Sequence, residues 1–247
     1  NPMIAVTAAD PPNLLANRVL QQLPERQRRP LIELCGLREL SVDQRLTTVG
    51  QPGAALLFPL AGLVSMSLAG AGVGATQLLM LGSDGVIGSA AVLASAPEAL
   101  LATVSAKGFA LSLDRRRWRQ AMLAASRLGP LLQHYQSLQL GQIARSAVCL
   151  GFHEGQQRLA RWLLDAAERS GEGLPPVTHE RLGHLLGLRR SGVTVCAGRL
   201  QAQGLIDYRR GQIRILDLAG LKLAACPCYQ ADRLARAAAF PRAGGAP

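Results

Sequence analysis

The residues whose types and spacing could do chemistry cluster between Thr178 and Leu216, in the run THERLGHLLGLRRSGVTVCAGRLQAQGLIDYRRGQIRIL. They are guanidinium groups rather than nucleophiles or acid–base pairs. Seven arginines in this run stand against two acids, Glu180 and Asp207. A guanidinium fork fits guanine O6 and N7, and it also fits phosphate oxygens. The chemistry is therefore recognition of nucleic acid, and the whole chain, with a formal net charge of +11, leans the same way. Basic charge alone would also suit an anionic membrane surface, so the argument rests on where the arginines sit.

Two short helical patterns and a hairpin must position them. Thr178 is a good N-cap, and Glu180 favours the positive end of the helix that follows. Leu182, Leu185 and Leu186 form one apolar face. Gly183 is small where a second helix would cross, and Gly187 can adopt the positive φ that ends the first. In the second helix Val193, Cys196 and Leu200 face inward. Arg189, Arg190, Ser191, Thr194 and Val195 are left outward near its N-terminus, the end that enters the major groove in a helix-turn-helix. Strand-like runs then follow at Leu205–Tyr208 and Gln212–Leu216, with Arg209-Arg210-Gly211 as the turn. This is a winged helix-turn-helix. Arg190 is the expected guanine contact, Val195 a thymine-methyl contact and Thr194 a base or phosphate contact. Thr178, Arg189, Arg209 and Arg210 are expected on phosphates. Such a footprint predicts steep salt dependence.

The N-terminal half follows a different period. Leucines at helical spacing occupy Leu14 to Leu23, Pro24 interrupts, and the pattern resumes through Leu34 to about Leu40. From Arg45 to Asp114, short apolar segments alternate with glycines: Ala55–Leu60, Leu63–Leu68, Thr76–Leu81, Leu101–Ser105 and Phe109–Leu113. Many short strands with turn signals indicate a sandwich or roll. Helix returns at Arg115–Ser126 and at Leu128–Phe152. In the latter, Leu128, Leu131, Tyr135 and Leu138 follow coiled-coil spacing and are expected to form a dimer seam. Beyond Leu138 that seam degrades, because Gln142 takes the next position. A further helix, Glu154–Arg169, turns Leu159, Trp162 and Leu163 toward the recognition domain. The fold class is α+β, divided as residues 1–127, a dimerisation helix at 128–152, and a DNA-binding domain at 153–247.

These segments resemble the Crp/Fnr family of bacterial transcription regulators over nearly the whole chain. The most specific parts are FPLAGLVS (Phe58–Ser65), GSDGVIG (Gly82–Gly88), QRLARWLL (Gln157–Leu164) and GLRRSGVTV (Gly187–Val195). The tail ACPCY (Ala225–Tyr229) looks like the C-x-C-Y ending of one branch. The resemblance implies a cyclic-nucleotide-binding-like, jelly-roll-like β-roll followed by a long dimerisation helix and a winged helix-turn-helix. The implied protein is a homodimeric cytoplasmic regulator of a pseudo-palindromic operator, with double-stranded DNA and RNA polymerase as partners. In the catabolite activator branch an Arg-Glu pair and a second Arg read DNA. Here Arg190 matches the first Arg, but Ser191 and Val195 replace the others, so the operator should differ. A cyclic AMP site would need a Glu after Gly88 and an Arg-Ser pair about ten residues on. Ser89 and the Arg-free stretch Pro97–Leu101 take those places, so cyclic AMP binding is not expected. A buried phosphate lacking a cation would be costly.

No cofactor or metal is expected. Cys35 is the sole cysteine before Cys149, which rules out the closely spaced N-terminal cysteines of the oxygen-sensing branch. Cys226 and Cys228 form one close pair, but two thiolates do not complete a tetrahedral site, and they read as a packed C-terminal turn. Cys149 is expected near its symmetry mate across the dimer, and Cys196 in the core. The four histidines show no ligand spacing. The five cysteines read as reduced thiols. Haem-based or thiol-based sensing on the same fold, or a protein-interaction module, are the alternatives. An enzyme built on the roll would need clustered His and carboxylates, and from Arg45 to Asp114 there is no His and only Asp84, Glu98 and Asp114. No stretch reads as a signal peptide or a bilayer span, and Met3 reads as the natural start.

Overall fold

A computed structural model describes residues 12–70, 73–94, 96–170 and 173–241, so Met3 lies outside the described residues. In chain order it contains helices α1 (Arg18–Gln21) and α2 (Glu25–Leu34), then strands β1 (Gly36–Leu40), β2 (Ala55–Pro59), β3 (Leu63–Gly70) and β4 (Val73–Leu81). Helix α3 (Ser89–Leu93), strands β5 (Leu101–Ala106) and β6 (Gly108–Asp114), a 3-10 turn and α4 (Trp118–Ala124) complete the N-terminal half. The second half is largely helical: α5 (Leu128–Phe152), α6 (Gly155–Ser170), α7 (His179–Leu186) and α8 (Arg190–Ala202), then the hairpin β7 (Ile206–Arg209) and β8 (Gln212–Ile215), then α9 (Leu218–Ala224) and α10 (Cys228–Ala239).

Two antiparallel sheets, ordered β1-β6-β2 and β4-β3-β5, form the roll. The glycine-punctuated segments became strands as short apolar runs between turns: Leu56–Pro59 of β2 and Leu63–Ser67 of β3 are buried without a break, while β5 and β6 mix buried with half-exposed positions. β1 departs from the expectation of helix up to Leu40. Pro24 stands at the N-cap position of α2, which ends at Leu34, and after Cys35 the five residues Gly36–Leu40 pair with β6. A backbone partner outweighs local leucine spacing there.

The expected dimer seam is also corrected in part. Leu128 and Tyr135 are buried in the chain's own core, with Tyr135 only 1% exposed, and Leu131 and Leu138 pack partly buried on the same cluster. Continuing the same stripe, Gln142 and Cys149 are buried too. Heptad spacing revealed the stripe but not which bodies cover it: the roll and Phe240 cover Leu128 to Leu138, and the C-terminal cysteine turn covers Cys149. The exposed face of α5 carries Leu140 at 69% and Phe152 at 84%, together with Ala144, Ala147 and Val148.

The halves share a core. Leu63 and Met80 of the roll join Trp162, Leu185 and Leu186 in one apolar cluster. The tail returns across the expected boundary at residue 153: α10 packs on α5, and Phe240 enters the roll cluster against Tyr135.

A buried ionic network completes the joint. Asp84, just after β4, pairs with Arg169 Nε at 3.2 Å and Arg236 Nε at 3.4 Å. Asp165 takes Arg169 at 2.9 Å and Arg236 at 3.3 Å. Asp232 takes Arg161 at 2.6 Å and also pairs with Arg145. Burial opposes the charge on Asp84 and Asp165. Arg169 and Arg236 outweigh it and hold both carboxyls below their ordinary range. A depressed native pKa gives stability that is present above the unfolded value of about 3.9 and is lost as pH falls through the native value. Asp84→Asn is expected to lower stability at pH 7 by about 3–5 kcal/mol, because Arg169 and Arg236 keep Asp165 but lose the second carboxylate they share, leaving buried positive charge uncompensated. In urea titrations across pH, the gap from the wild type should narrow in acid.

Candidate nucleic-acid interface

Each part of the recognition unit follows from a local rule. The Thr178 hydroxyl accepts the Arg181 N–H at 3.2 Å and so caps α7. Gly187 ends α7 at φ 61°, and its N–H returns to the His184 carbonyl. Gly183 is required by contact: a Cβ there would lie 2.8 Å from the Leu188 oxygen, where the chain turns into α8. Val193, Cys196 and Leu200 are buried, as their spacing predicted.

Arg190, Ser191, Thr194 and Val195 lie on the exposed face of α8, and Arg189 is its exposed N-cap residue. Among the described residues, Arg189, Arg190 and Arg210 form no ion pair with the protein's own acids. Arg209 pairs with Asp207 at 3.0 Å, and Arg214 shares that carboxylate at 3.2 Å. Arg209 is thus partly neutralised, while Arg210 carries its charge free of any such pair.

The wing is a two-residue hairpin. Arg209 pairs with Gln212, and Arg210 and Gly211 both take positive φ, 50° and 79°. Glycine adopts that conformation readily, but arginine does so at a cost of about 1–2 kcal/mol. The strain projects a cation at the tip of the hairpin, and strain of this kind concentrates at functional positions.

Sequence reasoning missed the floor between wing and recognition helix. His179 stacks edge-on against Tyr208 at 4.7 Å, and its Nδ1 lies 2.9 Å from the Thr194 hydroxyl. That hydroxyl also donates to the Arg190 carbonyl at 3.1 Å, so Thr194 is already engaged within the protein. Tyr208 donates to the Val177 carbonyl at 2.6 Å, fixing the wing to the start of α7. Burial and the nearby Arg190 charge push His179 below its usual range. The result is a groove lined by Thr178, His179, Arg190, Tyr208 and Arg210. Residues 178 and 208 are too far apart in sequence for any local periodicity to pair them.

In the roll, Gly88 takes φ 88°, and a Cβ there would meet the Ala55 oxygen at 2.4 Å. Ser89 follows it, buried. The stretch where a phosphate-binding Arg was sought carries buried Glu98, and burial raises its carboxyl pKa. Elsewhere the structure gathers what the spacing could not: Cys149 and His153 meet Cys226 and Cys228.

The architecture is that of a winged helix-turn-helix tied by a long helix to a β-roll. Residues 157–224 match the Crp-like helix-turn-helix domain. A curated relative, the transcriptional regulatory protein btr of Bordetella pertussis, is 32% identical over 108 residues, which cover 40% of this chain and 45% of that protein. The match therefore spans less than half of that relative's length. Among solved structures, the c-di-GMP responsive global regulator CLP of Xanthomonas campestris superposes with a TM-score of 0.63 at 19% identity, covering 77% of this chain and 98% of its own. FixK2 from Bradyrhizobium japonicum gives 0.65 at 16%, covering 78% and 98%. At such identities the likeness is one of fold. Residues 157–224 are a Crp-like helix-turn-helix domain, and the chain shares its fold with these two solved structures.

Two glycines separate contact from propensity. Gly183→Val is expected to destabilise by about 1–3 kcal/mol through overpacking. Gly198→Ala, whose Cβ would meet nothing within 4 Å, should stabilise by up to about 1 kcal/mol. Chemical denaturation of both variants checks the pair.

Proposed function

We propose that the protein is a sequence-specific DNA-binding transcription regulator that acts as a homodimer in the cytoplasm. Each subunit lays the N-terminal part of α8 in a major groove of a pseudo-palindromic operator. The N-terminal roll either senses a signal or serves as a dimerising scaffold. The observation that carries this reading is the exposed set Arg189, Arg190 and Arg210, without an ion pair among the described residues, with Arg190 and Arg210 lining a groove on a Crp-like domain.

In this reading Arg190 is bidentate to a guanine, Ser191 and Val195 flank it, and Thr194 orients it through its bond to the Arg190 carbonyl. Thr178, Arg189 and Arg210 bind phosphates, and Arg209 does so more weakly because Asp207 shares its charge. RNA polymerase is a partner at the promoter. No catalytic role is proposed. Cyclic AMP is not the effector, since Ser89 and Glu98 supply no cation for its phosphate. No helix among the described residues is long and apolar enough to cross a membrane.

A second copy of this chain is the occupant proposed for the exposed face of α5. Small residues Ala144 and Ala147 would let two helices approach closely beside Leu140 and Phe152. Leu140→Glu is expected to shift a dimer toward monomer in sedimentation equilibrium without loss of helical signal. An unchanged mass would reject this face.

Selection of bound duplexes from a random library tests the regulator reading. A pseudo-palindromic motif is expected, unchanged by added cyclic AMP. Arg190→Ala should cost about 1–3 kcal/mol and relax preference at one base pair, while Arg210→Ala should weaken all sequences alike and reduce the salt slope by about one. Unchanged base preference in Arg190→Ala would overturn the assignment of the recognition helix.

A further inference from the structure

Cys149 and His153 are one helical turn apart at the end of α5, where His153 is the C-cap residue. Cys226 and Cys228 flank Pro227 in the turn between α9 and α10. The fold brings these two pairs together although more than seventy residues separate them in sequence. Their four donor atoms all lie within 4.8 Å of one another. Cys149 Sγ is 3.4 Å from Cys226 Sγ, and Cys228 Sγ is 3.6 Å from His153 Nδ1. The three thiols are buried and form a cluster of their own, apart from the apolar cores.

We infer that Cys149, His153, Cys226 and Cys228 form a tetrahedral site for one divalent ion, with zinc the ion this Cys3His set prefers. Zinc lies about 2.3 Å from sulfur and about 2.0–2.1 Å from nitrogen, so tetrahedral edges are about 3.8 Å between sulfurs and about 3.5 Å from sulfur to nitrogen. The two observed separations are close to those edges without any change of backbone. Three thiolates around a divalent ion leave one excess negative charge, and the Arg161 guanidinium, which also pairs with Asp232, lies beside Cys149 and reduces its cost. Binding takes up the ion and releases the thiol protons to solvent, with no change of oxidation state.

The position gives the site a role. It joins the last turn of the long helix to the start of α10, beside the short link between α5 and α6. The ion would therefore clamp the C-terminal tail and the recognition domain to the long helix. This inference is independent of the DNA-binding proposal, since its readout is metal content.

The test uses the full chain. Zinc per chain is measured by mass spectrometry of the metal after expression with added zinc, and the reduced metal-free chain is titrated with Co2+. One zinc per chain is expected, and Co2+ should give tetrahedral d–d bands with thiolate charge transfer. His153→Ala, at a half-exposed position, should keep the native circular dichroism and weaken zinc binding by more than about a hundredfold, beyond what loss of a supporting residue causes. Cys228→Ser should lose the cobalt charge-transfer intensity of one thiolate. A native-like chain that holds no zinc and gives no tetrahedral cobalt spectrum after reduction and loading would overturn the site. So would a Cys149–Cys226 disulfide as the resting state, with no ion bound once it is reduced.

Discussion

The structure depends most on the buried exchange of charge between Asp84, Asp165 and Asp232 and the guanidiniums of Arg145, Arg161, Arg169 and Arg236. Charges removed from water are costly unless each lone pair and N–H finds a partner. Here each carboxylate is shared by at least two arginines, and Arg236 also reaches Glu168 at 3.0 Å. Apolar contact between Met80, Trp162 and Leu186 would hold the two halves together in many orientations. Charged partners with fixed fork geometry restrict them to few, and this is the specificity that buried polar groups can supply.

The same residue type therefore does two opposite jobs in one chain. Arg161, Arg169 and Arg236 are buried and neutralised, and they set geometry. Arg189, Arg190 and Arg210 are exposed, and no acid of the described residues answers them. Only the second group adds to the excess of positive charge, since the first is offset by its own carboxylates. Arg209 lies between, because Asp207 neutralises it while leaving it at the surface. Counting arginines gives the sign of the partner, but burial and pairing decide which ones it meets.

Helix α10 ties these themes together. It carries Asp232 and Arg236 into the ionic network, starts at the cysteine turn, and ends with Phe240 against Tyr135. A tail that the expected division at residue 153 places with the recognition domain is packed on the long helix. The Arg181–Asp43 ion pair adds a second link, from α7 to the roll.

What the sequence by itself determined is whatever depends on neighbours a few residues away. The cap at Thr178, the stop at Gly187, the inward row Val193, Cys196 and Leu200, a wing turn within Arg209-Arg210-Gly211 and the span Leu128–Phe152 all follow from local backbone and periodicity rules. What only the tertiary structure decided is whatever needs two distant segments to meet. Coiled-coil spacing marked Leu128 and Tyr135 as a buried stripe, but it could not say that the roll rather than a second helix covers them. Leucine spacing extended a helix through β1, because the strand exists only by pairing with β6. Cys226 and Cys228 looked like two ligands short of a site, because their neighbours Cys149 and His153 lie on another helix. Periodicity describes one element's faces, and only packing says what each face meets.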